Sequence, residues 1–336
     1  MTPSRQAIFR RFSGLFQSRL LRAAISALLL LLLITRLNLS EIGSTLSQVI
    51  PGLVLLGVLF FVAASLISVF KWQFILKAQG IHAPFFYLVS LFYIGFFFSN
   101  FLPTNFGGDV IKIFKLSQTT GQPIESASSV FMDRASSTLA LLLIAIVPAI
   151  IELRMLGAKI SAAILSLFII ATIMIVLGSN AGFVRRLSKL PLLRSDPMGL
   201  RRHARNFYFS LHDFRKKKAT LVAMMVISLV YQIVQIFAIY FLALSLGIQL
   251  SVLYYFIFIP VIMTVSMIPV SLNGLGVREG AWVLLFGQAG VSSTGAFSMS
   301  ILILLVMTAT SLFGGVFYLF DRILPEPQTK PDHGQS

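Results

Sequence analysis

The sequence predicts an all-α polytopic membrane protein with about six full spans and two broken, re-entrant helical hairpins. Hydrophobic residues make up 57% of the 336 residues and charged residues only 11%, against about 25% charged residues in soluble globular chains. The mean hydropathy is +0.90. The apolar residues form long runs, and two of these runs end in stretches that combine proline, glycine and charge.

Six apolar runs come close to or exceed the roughly 20 residues that a helix needs to cross a bilayer. They are Leu20–Leu37, Val49–Phe70, Ser128–Ile151, Ile160–Gly178, Leu221–Leu246 and Phe297–Phe320. Two further apolar runs each lead into a broken stretch, namely Phe85–Leu102 and Leu253–Pro269.

The positions of the basic residues decide how the first broken stretch is interpreted. Residues 1–22 contain five arginines and no acid, and residues 182–218 contain eleven Lys or Arg against two Asp. Both segments are predicted to be cytoplasmic by the positive-inside rule. If every apolar run crossed the membrane once, residues 182–218 would lie on the side opposite the cytoplasm. A re-entrant hairpin over residues 85–116 returns the chain to the side it entered from and so places residues 182–218 in the cytoplasm. Two alternatives stay open: another crossing is miscounted, or Asp109–Leu116 completes a further span.

A second hairpin over Leu250–Gly290, entered from the outside, would give both halves of the chain the same plan. Residues 20–151 and 160–320 would then form an inverted-topology repeat within one transmembrane domain, residues 20–320, as in many secondary transporters. The alternative is eight plain spans joined by polar loops.

Three segments are predicted to lie outside the bilayer core. Residues 1–19 and the basic amphipathic loop 182–218 place apolar side chains on one helical face, which is typical of interfacial helices. A solvated charged loop is the alternative for the second segment. The proline-rich, polar residues 321–336 are predicted to be a disordered tail.

The first candidate site follows the first broken stretch, FLPTNFGGDVIKIFK. Glycines let the backbone approach a ligand, and a helix that begins near them directs N–H groups at an anion. A lysine adds positive charge for a phosphate, and the aspartate three residues earlier pairs with it, caps the helix or binds a cation. The alternative is a capped turn. The candidate substrate-binding residues are Asn105, Gly107, Gly108, Asp109 and Lys112.

The second candidate site has the same plan in IPVSLNGLGVREGAW. The planar guanidinium of the arginine suits a phosphodiester, and the glutamate balances its charge or carries a coupling proton. The alternative is a structural turn with an interfacial ion pair. The candidate residues are Asn273, Gly274, Gly276, Arg278 and Glu279.

The third candidate site is Asp133–Arg134, which lies about one turn into an apolar run. Adjacent helix positions point about 100° apart, so each side chain needs its own partner. Plausible pairs are Arg134 with Glu279, and Asp133 with Lys112 or Arg278. Ionisable groups within a membrane are functional candidates by default, and interfacial anchoring is the alternative.

Other polar and aromatic residues are predicted to sit at the membrane surface. Arg36 and Lys71 lie at span ends, where their side chains are expected to snorkel. Trp72 and Trp282 fit interfacial aromatic belts.

Several classes of function are excluded by what the sequence lacks. There is no cysteine, and the four histidines have no metal-ligand spacing, so neither thiol chemistry nor a metal site is predicted. No Ser–His–acid, paired-carboxylate or nucleotide-binding motif is present, and we expect no catalytic residue and no cofactor. The net charge of +16 is attributed to topology and anionic lipid, not to nucleic acid.

Three motifs in order, LPTNFGGDVIK, SSVFMDR and PVSLNGLGVREGAW, resemble the lysylphosphatidylglycerol synthase transmembrane-region family. This family is also called the flippase-like domain family and includes YbhN-type proteins and the N-terminal membrane part of MprF. The resemblance covers about residues 20–320. It implies a multi-pass protein of the bacterial or archaeal inner membrane with a proposed role in lipid translocation. The aminoacyl-transfer domain of the larger members is not expected in this sequence.

The sequence therefore predicts a lipid flippase whose two hairpins form a polar cavity for a headgroup. The expected partners are anionic, aminoacylated or polyprenyl-linked lipids, with a partner synthase or further copies of the chain as additional candidates. Both termini are expected in the cytoplasm. Two alternatives remain: an integral-membrane enzyme acting on a lipid-linked sugar or phosphate, and an accessory subunit of a lipid-modifying synthase.

Overall fold

In a computed structural model, residues 39–100, 107–151, 166, 217–266, 271 and 274–320 are described. These ranges are helical apart from short turns, and they contain no strand. In chain order the helices are α1 (Leu39–Ser47), α2 (Pro51–Ala78), α3 (Phe85–Ser99), α4 (Gly107–Thr120), α5 (Pro123–Ile151), α6 (Lys218–Ser245), α7 (Val252–Ser266), α8 (Val277–Gln288) and α9 (Ser293–Leu319).

Four of these helices are long and apolar enough to cross a membrane, namely α2, α5, α6 and α9. Their positions confirm a long apolar helix in four of the six runs predicted to span the membrane, with boundaries shifted by up to eight residues. The runs Leu20–Leu37 and Ile160–Gly178, the basic segments and the tail lie outside the described residues.

Helices α3 and α7 are shorter, with 15 residues each. A helix of this length extends about 22 Å, whereas the hydrocarbon core is about 30 Å thick. Neither helix alone therefore matches a plain span.

Each short helix forms an antiparallel pair with the helix that follows it. In the first pair, Tyr87 Oη contacts Thr119 Oγ1 at 2.6 Å, while Gly95 lies against Gly108 near the other end. In the second pair, the Tyr255 and Phe286 rings are 5.2 Å apart, and Gly274 lies against the Ser266 carbonyl. We call α3–α4 and α7–α8 the first and second hairpins.

Glycine explains how closely the first hairpin is packed. A Cβ on Gly108 would overlap the Gly95 carbonyl and the Ser99 hydroxyl, and a Cβ on Gly95 would lie 2.8 Å from the Gly108 carbonyl. Larger side chains at these two positions would force the helices apart. The close approach brings the first turn of α4, with its charged side chains, against α3.

Apart from α1, the described helices fall into two sets of four that match in order and length. The first set, α2 to α5, has 28, 15, 14 and 29 residues, and the second set, α6 to α9, has 28, 15, 12 and 27. The turns match as well, since Gly80 and Gly247 take positive φ after the first helix of each set, as Gly121 and Gly290 do after each hairpin.

The two sets are packed crosswise. The first hairpin packs through α3 on α9, where Asn100 Nδ2 donates to Ser311 Oγ at 2.6 Å. The second hairpin packs through α7 on α5. The equivalent helices α2 and α6 pack directly against each other and run antiparallel, because Ile50 N meets Ser245 O at 3.0 Å while Lys71 Nζ meets Ser228 Oγ at 3.2 Å.

The prediction that the two tryptophans form interfacial belts is wrong, because both are buried in the helix packing. Trp72 donates from Nε1 to Ser129 Oγ at 3.1 Å. Trp282 stacks on Phe286 with 4.9 Å between ring centroids. The indole N–H group of a buried tryptophan needs a hydrogen-bond acceptor. The sequence does not show whether this acceptor is a hydroxyl inside the protein or water at the membrane surface.

Candidate functional site

Helix α5 contributes five of the buried polar side chains of the packed interior. Its sequence SASSVFMDRASST is rich in hydroxyls, and it packs against α2, α4, α6 and α7. Gln232 Nε2 on α6 donates to the Ser137 carbonyl at 2.9 Å, and Gln79 Nε2, directly after α2, donates to Ser128 Oγ at 2.5 Å. A span with this many internal polar contacts is stabilised by its neighbours and is not simply a lipid-facing anchor.

Lys71 is the functional candidate that the sequence interpretation missed. It lies well inside α2, its side chain is 0% exposed, and its Nζ is 2.9 Å from Asp133 Oδ1. The same Nζ donates to the Asp133 carbonyl at 3.0 Å and to Ser137 Oγ at 2.5 Å. The prediction that Lys71 snorkels is therefore wrong, because an internal carboxylate and several oxygens replace the interfacial water.

Asp109 is shared by two cations. Its Oδ1 is 2.8 Å from Lys112 Nζ, one turn further along α4. Arg134 on α5 reaches the same carboxylate from the other side, with Nε 2.7 Å from Oδ2 and Nη2 3.2 Å from Oδ1. The structure thus brings together four predicted site residues, the fourth being Asp133 beside Arg134 on the same helix.

The two cationic side chains that pair with Asp109 have different surroundings. Lys112 is 7% exposed, and its Nζ lies 5.5 Å from the centroids of both the Trp72 and the Phe92 ring. Cation–π contacts of this kind hold a buried ammonium in place. The Arg134 side chain is 45% exposed although its carboxylate partner is only 7% exposed.

The charged side chains of this region form one group, which we call the α5 charge cluster: Lys71, Asp109, Lys112, Asp133 and Arg134. The cluster contains three cationic and two anionic side chains, which leaves one net positive charge. Because isolated charges are costly in a low-dielectric interior, each carboxylate is paired.

The second hairpin carries a separate ion pair. Glu279 is 1% exposed and accepts from the Arg278 guanidinium at 2.6 and 3.0 Å. Its other oxygen accepts from the Gly276 backbone N–H at 2.6 Å. Gly274 and Gly276 take φ of 75° and 83°, which other residues rarely adopt.

The pairs expected from the sequence differ from those observed. Arg134 binds Asp109 instead of Glu279, and Asp133 binds Lys71 instead of Lys112 or Arg278. The partner of Lys71 could not be assigned because α2 is apolar on nearly all sides, so its pattern does not show which face packs against α5. Asn105 and Asn273 lie outside the described residues, and Gly107 and Gly108 form the buried start of α4.

No group of three His, Asp or Glu side chains within the described ranges is arranged to hold a metal ion. The cluster residues are instead arranged as alternating cations and carboxylates.

The fold and the cluster together define a helical membrane protein with several apolar helices and a charged interior. The chain belongs to the family described as the lysylphosphatidylglycerol synthase TM region, whose model matches residues 19–315. This confirms the resemblance drawn from the three motifs.

One curated relative is the UPF0104 membrane protein PH1989 of Pyrococcus horikoshii. It is 24% identical over 294 residues, which cover 81% of this chain and 88% of that protein. No solved structure matches the chain.

Proposed function

We propose that the chain is a lipid flippase that moves a charged headgroup between leaflets while the acyl chains stay in the bilayer. The observation that supports this most directly is the α5 charge cluster, in which five ionisable side chains lie among spanning helices. Charges at this depth are costly unless they serve a substrate or ion path. The family description, which names the membrane region of a lipid synthase, agrees with a role in lipid handling.

The two hairpins are proposed to be re-entrant and to form opposite walls of the headgroup cavity. Their helices are too short to span the bilayer singly, and each pair turns back on itself. The first hairpin contributes Asp109 and Lys112, and the second contributes Arg278 and Glu279. Broken backbone at membrane depth is tolerated where it lines a cavity inside the protein.

Alternating access is proposed to follow from an inverted-topology repeat. The matched helix lengths, the crosswise packing and the antiparallel α2–α6 pair support two halves related by a two-fold axis in the membrane plane. Rocking one half against the other would expose the cluster to each side in turn. The protein is proposed to reside in the bacterial inner membrane with both termini in the cytoplasm, as a homo-oligomer or beside a lipid synthase.

Reconstitution into vesicles tests this proposal. Fluorescent phosphatidylglycerol, aminoacyl-phosphatidylglycerol and phosphatidylethanolamine would be followed for exchange between leaflets by quenching of the outer leaflet. We expect exchange above that of empty vesicles for at least one lipid. The rate should fall at least tenfold in Arg134→Gln and stay within twofold in Lys77→Gln, a matched control on an exposed lysine. Monodisperse protein that moves none of these lipids would refute the proposal.

A further inference from the structure

The α5 charge cluster contains one acidic group with more cationic partners than its charge requires. Asp109 carries a single negative charge, yet both of its oxygens are occupied by Lys112 Nζ and by the Arg134 guanidinium. The second carboxylate of the cluster, Asp133, is paired with Lys71. The surplus positive charge therefore resides on the two cations around Asp109.

Of these two cations, Arg134 is the one that an incoming ligand can reach. Its side chain is 45% exposed, whereas that of Lys112 is 7% exposed and lies between two aromatic rings. A guanidinium has five N–H donors, and the Arg134 Nε and Nη2 groups use two of them on Asp109. The remaining donors are available to a second acceptor.

The other cations are held more completely. Lys71 is 0% exposed and is surrounded by a carboxylate, a carbonyl and two hydroxyls. Arg278 is 14% exposed and directs Nε and Nη2 to Glu279. Arg134 is thus the most accessible of the cations in the described ion pairs.

Release of Arg134 would leave no uncompensated carboxylate. If the guanidinium turns away from Asp109, the carboxylate keeps its contact with Lys112 at 2.8 Å. Removing the sole partner of a buried charge is strongly destabilising, but here a second partner is already in place. Arg134 itself then needs another anion, and phosphate matches the geometry of its donors.

We propose that Asp109 stands in for the phosphate of an anionic lipid headgroup until the headgroup binds, and that Arg134 then exchanges Asp109 for this phosphate. This inference rests on the proposed function for its ligand class. Asp109 is then a competitor of the headgroup and not a contact for it. Lys112 acts as a positioning residue that retains Asp109 when Arg134 leaves.

The exchange gives two substitutions opposite effects on binding. Asp109→Asn removes the competing charge, so phosphatidylglycerol should bind about tenfold more tightly, the change that one charge-assisted contact supplies. Lys112→Gln leaves Asp109 with Arg134 alone, so the same lipid should bind at least fivefold more weakly. Lys115→Gln makes the same charge change on the same helix and should stay within twofold.

Binding to purified protein in uncharged detergent would be measured with short-chain fluorescent phosphatidylglycerol. Phosphatidylcholine serves as the zwitterionic comparison, and glycerol phosphate as the water-soluble source of phosphate. Weak displacement by glycerol phosphate indicates a lipid headgroup, and full displacement at equal concentration indicates a free phosphate ester. Either result keeps the phosphate assignment, whereas binding that is equal for phosphatidylcholine overturns the anionic class.

A double-substitution cycle separates exchange from a general gain of positive charge. In an Arg134→Gln background, Asp109→Asn should bring no tightening, because no guanidinium remains to be released. Tightening that persists without Arg134, or no tightening in the single variant, overturns the inference. If Asp109→Asn is not monodisperse, the cycle uses Lys112→Gln instead. This substitution should weaken lipid binding when Arg134 is present and should not weaken it further in the Arg134→Gln background.

The binding cycle and vesicle exchange fail independently. If the binding pattern holds while no vesicle exchange occurs, the phosphate site stands and the flippase function falls. If vesicles exchange lipid while Asp109→Asn weakens binding, the flippase function stands and the exchange at Arg134 is refuted.

Discussion

Replacing Lys71 by methionine tests whether the buried pair in α2 and α5 holds the helices together. The substitution keeps the length of the side chain but removes the ammonium, which leaves Asp133 at 10% side-chain exposure without its cation. Breaking a buried ion pair on one side costs about 3–5 kcal/mol. The Ser137 and Ser228 hydroxyls also lose their shared donor, so we expect the upper part of this range.

The double variant Lys71→Met/Asp133→Asn should recover most of this loss, because no uncompensated charge remains. A buried pair replaced on both sides is often neutral in stability. Lys77→Met is the matched control, since Lys77 is exposed on the same helix and exposed substitutions usually change stability by less than about 0.5 kcal/mol.

The assay is unfolding followed by intrinsic fluorescence, for which buried Trp72 and Trp282 are built-in probes. Unfolding by denaturant in mixed micelles gives the free energy of unfolding for each variant. A single Lys71→Met variant within about 0.5 kcal/mol of the Lys77→Met control would refute the reasoning. A double variant less stable than the single would show that the methionine, not the stranded carboxylate, causes the damage.

Three further outcomes follow from the packing. Gly108→Ala should destabilise the protein by about 1–3 kcal/mol through overpacking. Gly287→Ala is the control, since a Cβ there meets only open space, and it should cause no such loss. Chemical unfolding distinguishes the two variants. Glu279→Gln should cost about 1.5–3 kcal/mol, since charged hydrogen bonds are lost, and equal stability in the same assay would count against its capping role. Cysteines replacing Asn100 and Ser311, whose side chains contact at 2.6 Å, should be joined by a short bifunctional thiol reagent in this cysteine-free chain. Gel mobility reports the crosslink, and its absence would contradict the α3–α9 packing.

The sequence was informative where length and backbone chemistry decide the outcome. Long apolar runs predicted four helices that the structure contains, and the glycines predicted the start of a helix near Gly108, which α4 confirms by beginning at Gly107. The spacing of Asp109 and Lys112 predicted a pair on one helical face, which the structure forms at 2.8 Å. These features depend on neighbours within a few residues.

The partners of the buried charges could not be predicted for a physical reason. In soluble helices an apolar stripe marks the inner face, but α2 is apolar on all sides, so its pattern does not show that Lys71 faces α5. The partners of Lys71 are 62 and 157 residues away in the chain. Contacts over such separations depend on which helices pack together, and the hydrophobic pattern carries little of that information.

The distance between Lys71 and Asp133 along the chain also sets an order of events during synthesis. The lysine emerges 62 residues before its carboxylate, which at about 5–20 residues per second is a delay of roughly 3–12 s. During this time α2 carries a lone ammonium that costs at most the roughly 2.5–3.5 kcal/mol of a charge at the centre of a helix, since Lys71 lies nearer the C-terminal end of α2. The many leucines, valines and phenylalanines of α2 outweigh that cost. The helix is thus apolar enough to enter the bilayer before the residue that neutralises it has been made.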